Sequence, residues 1–287
     1  MKRTLGRASG SIGQRLLAFA RQCADDGLPG SICVSNKIIT DIRPLGGINR
    51  PGVTKVGRLS LAGTCEGRRV KVYSGHSARQ NELRRDIQSI ELAGCEFPDL
   101  IAVDNDFVVE AWIDGVQVSK LRNAEALQAQ LAVELFFNTA RTSSDMSSVV
   151  AKHSEAFCYF SNYLLPRLNM WKRWSLVEEF LAVWYARYEQ LRDKLPVHFT
   201  HPDLSAANII LERSTGRYVI IDNELIGVGH GWLLDGRNSF LSSDLSFNVP
   251  DDFVELSWRL RQIGSALDAG DMALVSKLCK NLAIGLE

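Results

Sequence analysis

The sequence predicts an α+β fold in two lobes, a small β-rich lobe followed by a larger, mainly helical lobe. Between about residues 38 and 73 the chain alternates apolar and polar residues and is rich in β-branched side chains, which is typical of antiparallel strands. After a linker near residues 112–116 most segments repeat their apolar residues with helical spacing. A length of 287 residues is sufficient for two lobes that share a cleft.

The chain is predicted to begin with an extension, residues 1–35, that contains one helix. Leu16, Leu17 and Phe19 would form the apolar face of this helix, and the Gly-Leu-Pro-Gly turn at 27–30 would end it. The small lobe, residues 36–114, is predicted to contain a five-stranded antiparallel sheet and one helix. Its strands are predicted at residues 38–42, 53–61, 69–73, 100–103 and 107–111, and its helix at residues 76–94.

The large lobe, residues 115–287, is predicted to be helical apart from one β-rich segment at residues 197–227. Its helices are predicted near residues 123–142, 154–172, 176–193, 251–266 and 271–285. Between residues 158 and 190 the helices are rich in aromatic side chains. Such a stripe is typical of a packed core, and the alternative is an aromatic cage for a quaternary ammonium group.

The charge balance excludes one class of function. The chain has 33 basic and 33 acidic residues, so it lacks the excess of basic residues that nucleic-acid-binding proteins carry. No apolar run is long enough for a membrane span, and the N-terminus does not resemble a secretory signal. The six cysteines form no CxxC pair or Cys/His cluster, which indicates separate thiols in a reducing compartment. We therefore expect a cytoplasmic protein without a nucleic-acid partner.

The strongest chemical signal lies within the β-rich segment. Residues 201–211 read His-Pro-Asp-Leu-Ser-Ala-Ala-Asn-Ile-Ile-Leu, which places Asp203 and Asn208 five residues apart, and Asp222 follows the next apolar run. Two carboxylates and an amide oxygen at this spacing suit phosphoryl transfer, in which one carboxylate accepts the proton of the attacking hydroxyl and the other oxygens bind Mg²⁺. A loop rich in ordinary turn-forming residues is the alternative interpretation.

This pattern resembles the motifs of the aminoglycoside phosphotransferase and choline kinase superfamily, which has a bilobal protein-kinase-like fold. The resemblance implies ATP or GTP and Mg²⁺ as cofactors and a small-molecule or sugar hydroxyl as acceptor. It implies that Asp203 is the catalytic base and that Asn208 and Asp222 bind the metal ion. His201 would brace the loop, and Pro202 replaces the family's glycine.

The same resemblance assigns residues of the small lobe to nucleotide binding. Lys71, on the third predicted strand, would contact the phosphates and pair with a glutamate of the following helix, either Glu82 or Glu91. Gly46 and Gly47 lie in the turn that would cover the phosphates.

Three further assignments depend on position. The backbone of Glu110 and Trp112, in the segment that joins the lobes, would bind adenine. Asp235 matches a later family aspartate that would support the catalytic loop without touching the nucleotide.

Two departures from protein kinases favour a small acceptor. Ser205 stands where Ser/Thr kinases have a lysine, and only 13 residues separate Asp222 from Asp235. The acceptor itself stays open among aminoglycosides, choline-like compounds, sugars and envelope glycans. A catalytically silent kinase-like binding protein and an atypical protein kinase remain as alternatives.

Overall fold

The computed structural model of the 287-residue chain describes residues 28–45, 60–154, 156–169, 171, 174–235 and 249–280. The predicted N-terminal helix and the predicted turn of Gly46 and Gly47 lie outside the described residues. Within them the chain forms the predicted α+β architecture, an antiparallel sheet followed by a mainly helical region.

The small lobe is built on a six-stranded antiparallel sheet. The first strands of the chain are β1 (Ser31–Val34), β2 (Lys37–Pro44), β3 (Ser60–Cys65), β4 (Arg68–Tyr73), β5 (Cys95–Glu96), β6 (Leu100–Val103) and β7 (Val108–Ala111). The strand order in the sheet is β1-β2-β3-β4-β7-β6. Ile39, Leu61, Val72 and Val109 belong to its core.

The sheet has one strand more than the five predicted, because β1 lies inside the segment that was predicted as a helical extension. The β1–β2 hairpin turns at Ser35 and Asn36, whose φ angles of 45° and 68° belong to a two-residue hairpin turn. Neither turn residue is glycine, so the sequence carries no strong turn signal there. As a consequence, Lys71 lies on the fourth strand and not on the third.

The helix of the small lobe, α1 (Ala78–Ile87), is shorter than the predicted span of 76–94. It begins at Ser77, whose side chain accepts a hydrogen bond from the backbone N–H of Gln80. Gly94 lies beyond its end at a φ of +87°, and a Cβ at this position would lie 2.1 Å from the Ala132 carbonyl oxygen. The close approach to Ala132 therefore requires glycine.

Residues 112–114 join the sheet of the small lobe to β8 (Gly115–Gln117). The remaining elements are α2 (Asn123–Thr142), α3 (Ser144–Lys152), a π-helical segment (Tyr159–Leu164), α4 (Leu165–Asn169), α5 (Ser175–Leu191), β9 (His198–Thr200), β10 (Ile209–Glu212), β11 (Tyr218–Ile220), β12 (Gly227–Gly229), α6 (Asp251–Ala269) and α7 (Met272–Lys280). Strand β5 joins three strands of the large lobe in a four-stranded sheet of order β5-β11-β10-β8, and β9 and β12 form a two-stranded sheet.

The aromatic stripe of the large lobe is mainly core. Trp184 is fully buried, with ring centroids 4.8 Å from Tyr188 and 5.1 Å from Phe160. Phe180 and Tyr163 belong to the same cluster, which joins the π-helical segment, α5 and α6. These contacts favour the core interpretation of the stripe over an open aromatic cage. No helix in the described part of the chain is long and apolar enough to cross a membrane.

Candidate active site

The loop that carries Asp203 is joined to the strand that carries Asp222 by backbone pairing. In the β10–β11 hairpin Ile209 lies opposite Ile220, and the N–H of Ile221 donates to the carbonyl of Asn208 at 2.8 Å. The Asn208 Nδ2 group donates to the carbonyl oxygen of Asp203 at 2.9 Å. These bonds bring the three predicted motif residues, Asp203, Asn208 and Asp222, into one cluster.

His201 supports the start of this loop from the interior of the protein. Its side chain is fully buried, its backbone N–H donates to Asp235 Oδ1 at 3.1 Å, and its Nε2 lies 3.2 Å from Asn223 Oδ1. Burial lowers the pKa of His201, so the imidazole is neutral at pH 7. Burial raises the pKa of Asp235 to about 7, against the opposing influence of Arg141 and of the His201 N–H. Asp235 thus holds the loop from within the protein.

Asp222 lies at a backbone conformation that turns the chain between the two lobes. Its φ of 61° and ψ of 49° are left-handed, a region that aspartate enters more readily than most residues. The chain continues into a single 3₁₀ turn, Asn223–Leu225, whose three residues are all buried. The Asp222 side chain remains 46% exposed. The turn therefore separates one solvent-facing carboxylate from the buried residues behind it.

Lys71 crosses from the small lobe to this turn. Its Nζ forms ion pairs with Asp222 and, at 2.9 Å, with Glu224 Oε1, and its side chain is only 11% exposed. Glu224 Oε1 also accepts a hydrogen bond of 3.1 Å from Ser60 of β3. Burial alone would lower the pKa of Lys71, but the Glu224 and Asp222 carboxylates outweigh it and raise the pKa above its ordinary value. Lys71 is therefore charged at all physiological pH values.

The predicted partner of Lys71 on the small-lobe helix is wrong. The carboxylates within ion-pair distance of Lys71 come from Asp222 and Glu224, and neither Glu82 nor Glu91 pairs with it in the described structure. The buried face of α1 carries Gln80 and Arg84, and Glu82 is rotated away from it, while Glu91 lies beyond the end of the helix. The sequence does not show on which face of the helix Glu82 lies, because Glu82 directly precedes Leu83, which belongs to the buried face.

Gln80 joins the helix to the large lobe in place of a glutamate. Its Nε2 group donates to the carbonyl oxygens of Glu224, at 3.1 Å, and Ile226, at 2.7 Å. Its side chain is buried. These two bonds fix α1 to the turn after Asp222 without using a charge.

A second group of polar residues lies next to Lys71 and Asp222 and is buried from solvent. Glu110 Oε1 accepts hydrogen bonds from Arg84 Nε at 2.6 Å, Tyr73 Oη at 3.0 Å and Asn223 Nδ2 at 3.1 Å. The Glu110 and Arg84 side chains are each 1% exposed. We call Tyr73, Arg84, Glu110 and Asn223 the sealed cluster. It links α1, β4 and β7 of the small lobe to the turn after Asp222.

The structure gives Glu110 and Trp112 other positions than the predicted adenine contact requires. Glu110 lies inside the sheet, opposite Lys71 of β4 and Leu100 of β6. The Trp112 N–H donates to the Arg69 carbonyl at 3.1 Å, so it is not free to bind a base. The Arg69 guanidinium lies 3.5 Å from the centre of the Trp112 ring. One backbone hydrogen bond beyond the end of β7 therefore continues its pairing with β4 to Trp112.

Asp203 has a partner that the sequence did not predict. Arg261, on α6, places its Nη2 2.7 Å from Asp203 Oδ1, and the two side chains are 11% and 25% exposed. Residue spacing offers no signal for this pair, because 58 residues separate the partners.

Arg84 could have been recognised in the sequence as a buried charge. It shares one helix face with Leu83 and Ile87, and a buried guanidinium needs a partner.

The chemistry of Asn208 and Asp222 fits a hard divalent cation. Asn208 uses its Nδ2 group on the Asp203 carbonyl, which leaves its amide oxygen as a ligand, and the Asp222 carboxylate is half exposed. Oxygen donors of these two types suit Mg²⁺, which keeps several waters or phosphate oxygens in its shell. Among the described residues no group of three or more His, Cys, Asp or Glu could hold a metal ion.

No family model and no curated protein sequence matches the chain. Solved structures are similar to it in fold. Choline kinase LicA from Streptococcus pneumoniae is 12% identical, with 94% of this chain and 99% of that chain covered and a TM-score of 0.48. A thermostable mutant of aminoglycoside phosphotransferase APH(4)-Ia is 12% identical, with 84% and 92% covered and a TM-score of 0.45. Spectinomycin phosphotransferase APH(9)-Ia, in complex with ADP and spectinomycin, is 12% identical, with 85% and 86% covered and a TM-score of 0.41.

Proposed function

We propose that the protein is a Mg²⁺-dependent phosphotransferase that transfers the γ-phosphate of ATP or GTP to a hydroxyl group of a small molecule or glycan. The observation that carries this proposal is the meeting of Lys71, from the small lobe, with Asp222, which is held next to Asp203 and Asn208 by the β10–β11 hairpin. A lysine and two oxygen ligands beside a carboxylate base are the components of phosphoryl transfer.

In the proposed reaction Asp203 orients the acceptor hydroxyl and accepts its proton. The hydroxyl oxygen forms a bond to the γ-phosphorus as the bond from that phosphorus to the β,γ-bridging oxygen breaks, and ADP or GDP leaves. Lys71 exchanges its carboxylate partners in part for phosphate oxygens when the nucleotide binds. Asn208 and Asp222 would hold Mg²⁺, which supplies charge neutralisation of the phosphates when it is bound. His201 and Asp235 keep the loop in position.

The first test of this proposal is nucleotide binding. The full chain should be stabilised by Mg-ATP or Mg-GTP in a thermal-shift titration, because a ligand at 100 times its Kd adds about 2.7 kcal/mol to the free energy of unfolding. The absence of any shift with either nucleotide would favour the silent binding protein over an enzyme.

The second test is turnover with a panel of aminoglycosides, choline, amino sugars and envelope sugars, with ADP or GDP formation as the readout. Asp203→Asn should lower kcat by about 10²–10⁴-fold, since it removes a general base, and leave the nucleotide-dependent shift in place. Asp193→Asn, at an aspartate that is 90% exposed, is the matched control and should retain full activity. Wild-type turnover in Asp203→Asn would overturn the role of Asp203. Incorporation of labelled phosphate into the chain itself would instead revive an atypical protein kinase.

A further inference from the structure

Arg261 brings a positive charge to the candidate catalytic base. It lies on α6, far from the motif residues in the sequence, and its Nη2 donates to Asp203 Oδ1 at 2.7 Å. The same guanidinium is 5.2 Å from the Trp258 ring on its own helix. A carboxylate attracts a cationic acceptor most strongly when no other cation is paired with it. Arg261 instead neutralises the charge of Asp203.

The neighbouring charges on this side of the loop are balanced in the same way. Arg167, on α4, forms an ion pair with Asp268 near the end of α6 and lies 4.5 Å from the Tyr163 ring. Burial raises the pKa of Tyr159, and the positive charges of Arg261 and Arg167 oppose this rise. In each of these two pairs a guanidinium balances the charge of one carboxylate.

The Arg261 guanidinium also keeps a donor for a ligand. Nη2 is used on Asp203, and Nε is buried without a hydrogen-bond partner among the described residues. Nη1 has no partner among these residues either, and it is not among the enclosed polar atoms. Because the two terminal nitrogens share one carbon, an oxygen bound to Nη1 would lie next to the Asp203 carboxylate. An ammonium group bound at Nη1 would face a donor of the same charge.

We propose that Arg261 makes the acceptor site select hydroxyl compounds that also carry a carboxylate or another anionic oxygen group, and reject compounds that carry an ammonium group instead. This inference rests on the proposed phosphotransferase function and narrows its acceptor class. A guanidinium binds carboxylate and phosphate oxygens with directed hydrogen bonds, which gives selectivity as well as attraction. Arg261 would then act as a specificity-determining residue that also positions Asp203.

The test uses three probes that share one sugar skeleton: glucose, glucosamine and glucuronate. Thermal shifts of the full chain are measured with each probe in the presence of Mg-ADP, and ADP formation is measured with each probe and Mg-ATP. In the wild type we expect glucuronate to give the largest shift and a kcat/KM at least 10-fold above that of glucosamine. Arg261→Gln should abolish this preference, chiefly through a raised KM for glucuronate.

Two further variants separate selectivity from stability. Arg261→Lys keeps the charge and loses the paired donors, so it should still discriminate against glucosamine while binding glucuronate more weakly than the wild type does. Arg259→Gln is the matched control, since Arg259 lies on the same helix and pairs with Glu255 at 3.5 Å, and it should leave the ranking unchanged.

The outcomes distinguish this inference from the proposed function. A larger shift with glucosamine than with glucuronate, or the same response of wild type and Arg261→Gln to all three probes, would overturn the acceptor class while nucleotide binding still supported the phosphotransferase. No response to Mg-ATP or Mg-GTP would instead overturn the proposed function itself.

Discussion

Two polar clusters lie back to back between the lobes, and they differ in how much water reaches them. In the open cluster, which we define as Lys71, Asp203 and Asp222, the two carboxylates are 25% and 46% exposed. In the sealed cluster the Glu110 and Arg84 side chains are 1% exposed. Asn223 of the sealed cluster is the residue directly after Asp222.

The difference in exposure separates two roles for charged residues. The ion pairs of the open cluster can be exchanged for phosphate, a metal ion or an acceptor hydroxyl, because solvent and ligands reach one side of them. The pairs of the sealed cluster cannot be exchanged without unfolding the contact between α1, β7 and the turn after Asp222. We therefore expect substitutions in the sealed cluster to change stability, and substitutions in the open cluster to change ligand binding.

The largest expected effect on stability is that of Glu110→Leu. Removing this carboxylate leaves the Arg84 guanidinium buried without a counter-charge, although Gln88 Oε1 and the Pro98 carbonyl still accept from it. We expect the free energy of unfolding, measured by urea denaturation, to fall by about 3–5 kcal/mol.

The double variant Arg84→Met with Glu110→Leu is the matched control for this prediction. It replaces both charges by apolar side chains and should recover most of the lost stability. A fall of less than about 1 kcal/mol in the free energy of unfolding of Glu110→Leu would show that the sealed cluster does not stabilise the contact between α1, β7 and the turn after Asp222. A double variant that is no more stable than the single one would show the same.

A smaller effect on stability is expected for Asp222→Asn. The carboxylate is nearly half exposed, so the loss of its ion pair with Lys71 should change the free energy of unfolding by less than about 1 kcal/mol. The stabilisation of the protein by Mg-ATP should nevertheless disappear, because the variant removes a candidate metal ligand.

Glu66→Gln is the control for Asp222→Asn. Glu66 also has a left-handed backbone, with a φ of 49°, and its exposed carboxylate pairs with Lys37 at 2.6 Å. It should match Asp222→Asn in stability and keep the response to Mg-ATP. An unchanged Mg-ATP response in Asp222→Asn would show that Asp222 does not bind the metal ion. The open cluster would then not differ from the sealed cluster in ligand binding at this residue.

The open cluster was predictable from the sequence in large part, and the sealed cluster was not. Asp203 and Asp222 flank one hairpin, so local spacing already brings these two residues of the open cluster near each other in space. Lys71 was predicted from its place on a strand of the small lobe. The partners of Glu110 come from α1, β4 and the turn after β11, and their meeting depends on how the lobes pack. The packing of the lobes also decides that Gln80, and not Glu82, faces the turn after Asp222.

The fold could be predicted at the level of its elements. Strand β6 and helix α2 occupy their predicted positions, because their apolar periodicity is regular and turn residues bound them. Helix α3 was missed because its nine residues include three serines and two valines, which are weak helix formers. The hairpin turn at Ser35 and Asn36 was missed because the left-handed conformation there is adopted without glycine.

The effect of Asp235→Asn should be the smallest of all at low pH, and it should grow with pH. Burial raises the pKa of Asp235 to about 7, so the native state holds this proton at pH values at which the unfolded chain has already released it. The native state is therefore disfavoured as the pH rises from about 4 to 7, because unfolding then allows the carboxyl group to ionise in water.

Asparagine resembles the protonated carboxyl group in shape and can still accept the hydrogen bond from the His201 N–H. Urea denaturation should find little difference between Asp235→Asn and the wild type at about pH 4. As the pH rises from about 4 to 7 the variant should become steadily the more stable of the two, since it has no charge to bury and Arg141, 4.0 Å from the carboxylate, compensates that charge only in part. A difference in stability that is the same at about pH 4 and at about pH 8 would show that the pKa of Asp235 is not raised by folding, and would place Asp235 with the exposed carboxylates and not with the buried ones.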